Sequence, residues 1–546
     1  MIDRRDGSMV TSVVDGAVAD RWSPDDLVAF VREREEGPDA PRWVFADTAT
    51  GYPPLSAAGV RLDRVHDLRL VRAILRASAL TAHTRFASAP KDDWDAPRQP
   101  AAPPGASTLF DVAPTGPSGD PVVELLAQLA ALADAREPQR LQRLVGAESM
   151  GALIASEMHS AGLPWNAARH DELLTGLLGP RPREGDRPAV LQELTERIRL
   201  LLDAPRLNPD SHQELLRALR GAGLAVESTA VWELQRLRHP AIAPLVEYRK
   251  LSRLLTANGW HWLDSWVHGG RFRPEYVPGG VVTGRWATNG GGALQLPRQV
   301  RSAVVADPGW CLVVADASQL EPRILAALAD DRAMIAAGAA GDLYQGIVDS
   351  RAVATRDEAK VAMLGAMYGA TSGEAARLMP RLTRAYPRAI GLVEEAARAG
   401  ERGEVVSTRL GRSSPRPRHA RAEGGYGDPA PAAAAAPGGY PDDPRAWGRF
   451  TRNFVVQGSA AEWALCWMAS VRARLRMLGG TWPTDAPHLV FFVHDEIVVH
   501  TPAHLADEVV TQVREAADHA GRLLFGGSPV RFPVTVAVVD DYSQAK

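Results

Sequence analysis

Cys311-Leu-Val-Val-Ala-Asp316-Ala-Ser-Gln-Leu-Glu321-Pro-Arg323 and Leu489-Val-Phe-Phe-Val-His494-Asp495-Glu496-Ile-Val-Val-His500 decide the fold of this 546-residue chain. Each begins with an apolar, β-forming run that reaches an acid. The second reads as a hairpin with its acidic pair at the turn. Carboxylates at the tips of buried strands are costly without cations. Two of them converging from separate segments are what a paired Mg²⁺ site for phosphoryl chemistry requires. Taken singly, Asp316 could as well cap a helix and Asp495 serve a turn.

A third segment narrows the chemistry. Arg356-Asp-Glu-Ala-Lys360-Val-Ala-Met-Leu364-Gly-Ala-Met-Tyr368-Gly369 reads as a helix whose residues 356, 360, 364 and 368 line one face. Two cations, an apolar residue and an aromatic follow one another there, as in a triphosphate clamp leading to a base platform. Only four of the 62 basic residues are lysines, so a lysine at 360 points to a compact charge chosen over arginine. A solvated face is the plain alternative, and Leu364 and Tyr368 on the same line argue against it.

These residues carry a resemblance. Asp316 to Arg323 resembles motif A of family A DNA polymerases, Arg356 to Gly369 their motif B, and Val493 to Glu496 their motif C. Thr283-Gly-Arg285 with Leu294-Gln295, Thr408-Arg-Leu-Gly-Arg412, and Arg449-x3-Asn453-x3-Gln457-Gly-Ser-Ala-Ala461 are similar to further family segments, in the family's order. The likeness runs from about residue 150 to 546.

The resemblance implies an α+β right-hand polymerase that extends a primer 3′-OH with dNTPs on primer-template DNA. Two Mg²⁺ ions (Mn²⁺ as a substitute) would sit on Asp316 and Asp495. Glu496 would assist through metal-bound water or hydrogen bonding, and His494 would either orient the primer end or fill the turn. Lys360 and Arg356 would cradle the triphosphate. Gln319, Tyr344, Leu364 and Tyr368 would complete the nucleotide site, with Gly365 and Gly369 letting backbone approach the base. Arg285, Gln295, Arg412, Arg449, Asn453 and Gln457 would contact DNA. Arg249 and Arg253 are either phosphate contacts or a solvated helix face. Glu321 has two readings that need not exclude each other. Ser318-x-x-Glu321 is a capping-box pattern, and the family glutamate here excludes a ribose 2′-OH. A bulky acid there also argues against the runner-up, a single-subunit RNA polymerase.

The chain departs from the family pattern at four places. Tyr344 stands for a histidine near the triphosphate, Leu364 for an aromatic, and Ala317 for the aromatic after the motif A aspartate. The stretch between Gln295 and Arg301 is shortened. The rival functions are therefore a catalytically weak DNA-binding protein and a residual exonuclease.

Residues 1–89 read as a small α/β domain, with a strand at Trp43–Asp47 and a helix at 68–80. Ala46-Asp47-Thr48-Ala49-Thr50 is similar to the family's first 3′–5′ exonuclease motif, with alanine in place of its glutamate. This suggests a degenerate exonuclease domain, in the compact polymerases that retain one, without active proofreading. Residues 90–121 read as a linker and 122–546 as the polymerase, with a thumb at about 165–270, a palm at about 271–335 and 446–546, and fingers at about 336–445. A Pro/Ala/Gly tract at 413–444 predicts a surface loop, after which Asp443-Pro444 restarts a helix. Asp186 and Ser211 are candidate caps for thumb helices. The net charge of −3 does not advertise a nucleic-acid binder, so phosphate contact needs a local arginine-lined cleft. Two cysteines without a pairing pattern, no signal core and no apolar run long enough to span a bilayer predict a soluble, cytoplasmic protein; the family resemblance adds the expectation of a monomer associated with the nucleoid.

Overall fold

The computed structural model describes residues 2–3, 10–14, 17–22, 24–96, 119–183, 185–416 and 443–545. Most of the expected linker (97–118) and most of the Pro/Ala/Gly tract (417–442) lie outside the described residues. The chain divides into two compact units. The first comprises Met1–Ala161, Pro274–Gly290 and Gly309–Val538, and the second Gly162–Arg273, Gly291–Pro308 and Val539–Lys546.

The first unit opens on a five-stranded sheet of β1 (Ile2–Asp3), β2 (Val10–Val14), β3 (Ala17–Trp22), β4 (Arg42–Phe45) and β5 (Arg64–Asp67), in the order β3-β2-β1-β4-β5. β1, β4 and β5 run parallel, while β2 and β3 form an antiparallel hairpin on the β1 side. Helix α1 (Leu68–Ala77) follows, capped by the Asp67 carboxylate. Helices α2 (Pro121–Ala133) and α3 (Pro138–Ala161) come next, in the region read as helical.

The second sheet of this unit holds the aspartates. Its strands are β6 (Trp310–Ala317), β7 (His488–Val493), β8 (Glu496–Pro502) and β9 (Val534–Val539), in the order β7-β8-β6-β9. β7 and β8 are buried along their whole length, which is why both read as unbroken apolar runs rather than alternating ones. Between β6 and β8 come α4 (Leu320–Ala329), α5 (Leu343–Asp349), α6 (Arg356–Tyr368), α7 (Gly373–Ala385) and the long α8 (Pro444–Met477). Asp443 caps α8 with Pro444 at its first position, as the sequence predicts. Helix α9 (Ala506–Phe525) buries Val509, Val513, Ala516, Ala517, Ala520 and Leu524, a stripe of helical spacing. The Trp467 indole of α8 donates to the Val513 carbonyl at 3.1 Å, joining the two helices.

One buried cluster ties α8 to the N-terminal sheet domain. Arg472 makes two hydrogen bonds to Glu157 of α3, at 2.8 and 2.6 Å. Arg61 donates to the same carboxylate at 3.4 Å, and the Tyr52 hydroxyl donates to it at 3.2 Å. Arg472 and Arg476 both donate to the Leu62 carbonyl, at 2.6 and 2.7 Å. Burial raises the Glu157 pKa, but the guanidinium groups of Arg472 and Arg61 overcome it and hold the carboxyl below its usual range.

The second unit is mainly helical. Trp165, His170, Trp262 and Phe272 pack ring to ring at centroid distances of 5.0–5.8 Å. Ser211 caps His212–Gly221 as expected. Asp186 is not a cap. The helix Ala189–Leu201 starts after Pro188 without a side-chain cap, because the Asp186 N–H is turned back onto the Arg183 carbonyl at 3.0 Å.

Candidate active site

The antiparallel register of β6 and β8 sets Asp316 directly opposite Glu496. The Ala317 N–H donates to the Asp495 carbonyl at 2.9 Å, so the ladder runs to the tips of both strands. His494 and Asp495 form the two-residue turn between Val493 and Glu496, with His494 at φ 55°. This turn brings Asp495 beside Asp316 from the far side of the hairpin. Both aspartates are half-buried, while Glu496 is only 2% exposed. Partial burial of the His494 ring and then the Arg285 cation push its pKa down. Among the described residues no group of three or more His, Cys, Asp or Glu side chains is arranged to hold a metal. A carboxylate pair completed by water and phosphate oxygens is nevertheless what Mg²⁺ uses, so the donor set fits that ion and excludes a closed protein cage.

Around the strand tips, α6 presents the expected face. Arg356 and Lys360 are exposed, Leu364 is half-buried and Tyr368 is 46% exposed, while Ala359, Ala362, Met363, Ala366 and Met367 pack inward. Arg356 is engaged. Its Nε donates to Asp342 at 2.8 Å, and its guanidinium carbon lies 5.5 Å from the centre of the Tyr344 ring. Gln319 bonds the other Asp342 oxygen at 2.6 Å and accepts from the Leu343 N–H at 2.8 Å. Burial first, then the Glu321 carboxylate, push the Tyr344 phenol up to about 12, so it stays protonated. Motif A, α5 and α6 are thus linked through Asp342, a residue the sequence reading missed. Its signal was an acid opening Asp342-Leu-Tyr344 beside the expected triphosphate clamp.

Several expectations are corrected here. The Ser318–Glu321 capping box does not form. Gln319 takes a left-handed conformation (φ 56°, ψ 45°) before α4, with no side-chain cap. The Ser318 hydroxyl instead bonds Thr535 at 3.0 Å, and Glu321 pairs with Arg285. Burial raises the Glu321 pKa and Arg285 offsets part of that rise. The same Ser/Thr-x-x-Glu pattern at Thr355–Glu358 does form a capping box and starts α6. Gly365 allows close packing of α7, since a Cβ there would lie 2.5 Å from the Ala375 Cβ.

The remaining predicted contacts fall into three groups. Arg449, Asn453 and Gln457 step along one face of α8. Gln457 donates to the Tyr368 hydroxyl at 2.7 Å, and a Cβ on Gly369 would approach the Arg449 side chain to 3.0 Å. Arg412 is largely buried and pairs at 2.6 Å with buried Glu148. Gln295, Arg249 and Arg253 belong to the second unit, where Arg249 donates to the Thr229 carbonyl and Gln295 and Arg253 are exposed.

The family model "DNA polymerase family A" matches residues 189–543. The chain belongs to that family. Two curated relatives are thermostable DNA polymerase I of Thermus filiformis (27% identical, covering 58% of this chain and 38% of that protein) and of Thermus thermophilus (26%, 66% and 45%). DNA polymerase I of Deinococcus radiodurans is 27% identical over 54% of this chain and 32% of its own. The family A chain thus matches less than half the length of these relatives. A solved structure with a similar fold is the POL domain of Pol1 from M. smegmatis in complex with DNA primer-template and dNTP. Its TM-score is 0.69 at 20% identity, covering 96% of this chain and 89% of that one. Among the described residues of the family A chain, no helix is long and apolar enough to cross a membrane.

Proposed function

We propose that this chain is a template-directed DNA polymerase adding deoxynucleotides to a primer 3′-OH. The observation that carries the reading is the β6–β8 register, which sets Asp316 opposite Glu496 and next to the Asp495 turn. Asp316 and Asp495 would hold two divalent cations, Mg²⁺ or Mn²⁺. Bound there, the ions supply a more acidic primer hydroxyl and charge neutralisation on the departing pyrophosphate. Lys360 and Arg356 face the incoming triphosphate, and Arg356 must exchange Asp342 for phosphate oxygens when the nucleotide enters. Gln457 fixes the Tyr368 ring as a base platform through its hydroxyl. Primer extension on a 5′-overhang template with Mg²⁺, with and without dNTPs, tests the reading. Growth of the primer supports it, binding without growth favours a DNA-binding protein, and shortening favours a nuclease.

We read the N-terminal domain as a degenerate exonuclease kept for its structure. Asp47 accepts the Ala49 N–H at 3.0 Å, and Asp67 accepts those of Thr48 and Leu70 at 2.7 and 2.9 Å. Burial, then the neighbouring Asp47, push the Asp67 carboxyl up to about 6. Both acids are therefore committed to caps. A mismatched primer should stay unshortened in Mg²⁺ or Mn²⁺.

Two substitutions probe the nucleotide. Glu321→Ala removes the acid held by Arg285 and should raise the rNTP to dNTP incorporation ratio tenfold or more, on a scale of about 1–3 kcal/mol. An unchanged ratio would remove Glu321 from sugar selection. Leu364 offers neither a flat ring nor a donor to the sugar, so the wild-type enzyme should discriminate against dideoxynucleotides. Leu364→Tyr should improve kcat/KM for ddTTP over dTTP several-fold, as one hydrogen bond of about 1 kcal/mol allows. If that ratio stays put, Leu364 does not face the sugar.

A further inference from the structure

At the C-terminal end of α9 lies a cavity of about 370 Å³ lined by Arg143, Arg409, His519, Arg522, Leu523, Leu524, Phe525 and Gly526. Three arginines and a histidine line it without a carboxylate, in a chain whose net charge is −3. The walls are built, since Arg143 and Arg409 donate to the Leu523 and Leu524 carbonyls at 3.2 and 2.7 Å. Each bond uses one N–H of a five-donor guanidinium and fixes its direction. The Arg409 guanidinium also sits 5.8 Å from the centre of the Phe525 ring. Arg522 makes no side-chain hydrogen bond or ion pair among the described residues, and the exposed His519 donates to or accepts from Ser470 at 3.0 Å. Partial burial lowers the His519 pKa first, with smaller contributions from the cations of Arg474 and Arg522.

The cavity is not the site described above. The Arg409 N–H is held by Ser459 of α8 at 2.9 Å. Ser459 stands two positions beyond Gln457, which points at Tyr368. Two helical residues turn through about 200°, so the cavity and the base platform lie on opposite sides of α8.

We propose that this cavity is a second phosphate-binding site, for nucleotide units of single-stranded DNA. The ligand follows from shape and chemistry together. Fixed guanidinium forks match phosphate oxygens in pairs. The Phe525 ring stacks on Phe532 at 5.7 Å and carries the Arg409 guanidinium over it, so a nucleotide base that is free to stack would meet the guanidinium plane backed by that ring, whereas in a duplex the bases are stacked on each other. Free nucleotides share that chemistry, and the test separates the two sources.

The probe is a fluorescein-labelled oligothymidylate of about 12 nucleotides, within the range of single-strand sites. It is titrated by anisotropy into enzyme already saturated with an unlabelled primer-template hairpin. Arg522→Glu reverses a charge that no described contact uses, so folding should be kept, as thermal melting verifies. This variant should bind the oligomer at least tenfold more weakly, with a salt slope shallower by about 0.7 for each phosphate that Arg522 neutralises. Hairpin extension should stay within about twofold, since no residue of the catalytic site is altered. Phe525→Leu, which keeps every cation, should weaken the oligomer and leave inorganic phosphate competition unchanged. Displacement by millimolar dTMP assigns the site to free nucleotides as well, and displacement by strands alone assigns it to DNA. Unchanged oligomer binding in Arg522→Glu overturns the proposal, and so does loss of all oligomer binding once the hairpin is bound. The catalytic reading can fail in the extension assay while this site still binds, so the two failures are distinguishable.

Discussion

Asp316→Ala and Asp495→Ala are each expected to lower single-turnover primer extension by at least a hundredfold while leaving primer-template affinity nearly unchanged. Each step of ten in rate corresponds to about 1.4 kcal/mol, and a metal-held transition state is worth several. Both aspartates lie at the open end of the ladder rather than in its core, so replacing them should not unfold the sheet. Asp316→Asn and Asp495→Asn provide the shape-matched controls. Extension above about one hundredth of wild type in either alanine variant contradicts the ligand role. Lys360→Ala should also slow extension but with a raised dNTP KM, because its charge acts on the triphosphate.

The second large effect concerns folding. Glu157→Gln should destabilise the protein by about 3–5 kcal/mol, since it leaves the buried Arg472 guanidinium without its counter-charge. Breaking a solvent-exposed pair such as Arg402–Glu404 should leave stability nearly unchanged. Replacing Glu157 and Arg472 together, Glu157→Leu with Arg472→Met, should recover part of the loss, because a buried ion pair exchanges favourably for apolar packing while Arg61 still loses the same carboxylate. Urea unfolding of wild type, Glu157→Gln and the double variant measures this. The pH dependence has a definite sign. Because the folded Glu157 pKa is depressed, its contribution is complete above the unfolded value of about 4.3 and fades as pH falls toward the folded pKa. A double variant as unstable as Glu157→Gln would mean that packing around the cluster, not charge, is what matters.

The parts of this molecule legible in the sequence are those governed by local chemistry. Asp316 and Asp495 could be read because an acid that ends a continuous apolar run sits where only a cation or a dense set of donors can hold it. The exposed face of α6 could be read because four residues at a spacing of four announce themselves. Pairwise partners could not be read. Nothing near Arg412 in the chain announces Glu148, and the acid at 342 is visible in the chain without showing that it would pair with Arg356. The two Ser/Thr-x-x-Glu patterns show the limit most clearly. They are equivalent as strings, yet only Thr355–Glu358 closes, because at Ser318 the hydroxyl is drawn to Thr535 and the acid to Arg285. Whether that local motif forms is decided by residues far along the chain, at Arg285 and Thr535. The cap expected at Asp186 fails for the same kind of reason on a shorter scale.

Helix α8 couples the history of the two halves it joins. One stretch of it holds Gln457 against Tyr368, and some fifteen residues on, about 22 Å along the axis, Arg472 and Arg476 reach into the N-terminal domain. On the proposed reading of that domain as a scaffold without nuclease activity, nothing in its chemistry would require it to be kept. Here its loss would take the Leu62 carbonyl from Arg472 and Arg476, and Tyr52 and Arg61 from Glu157. Deletion of the domain is then a costly step whatever its chemistry, because the same rod that holds Tyr368 through Gln457 is anchored in it through Arg472 and Arg476.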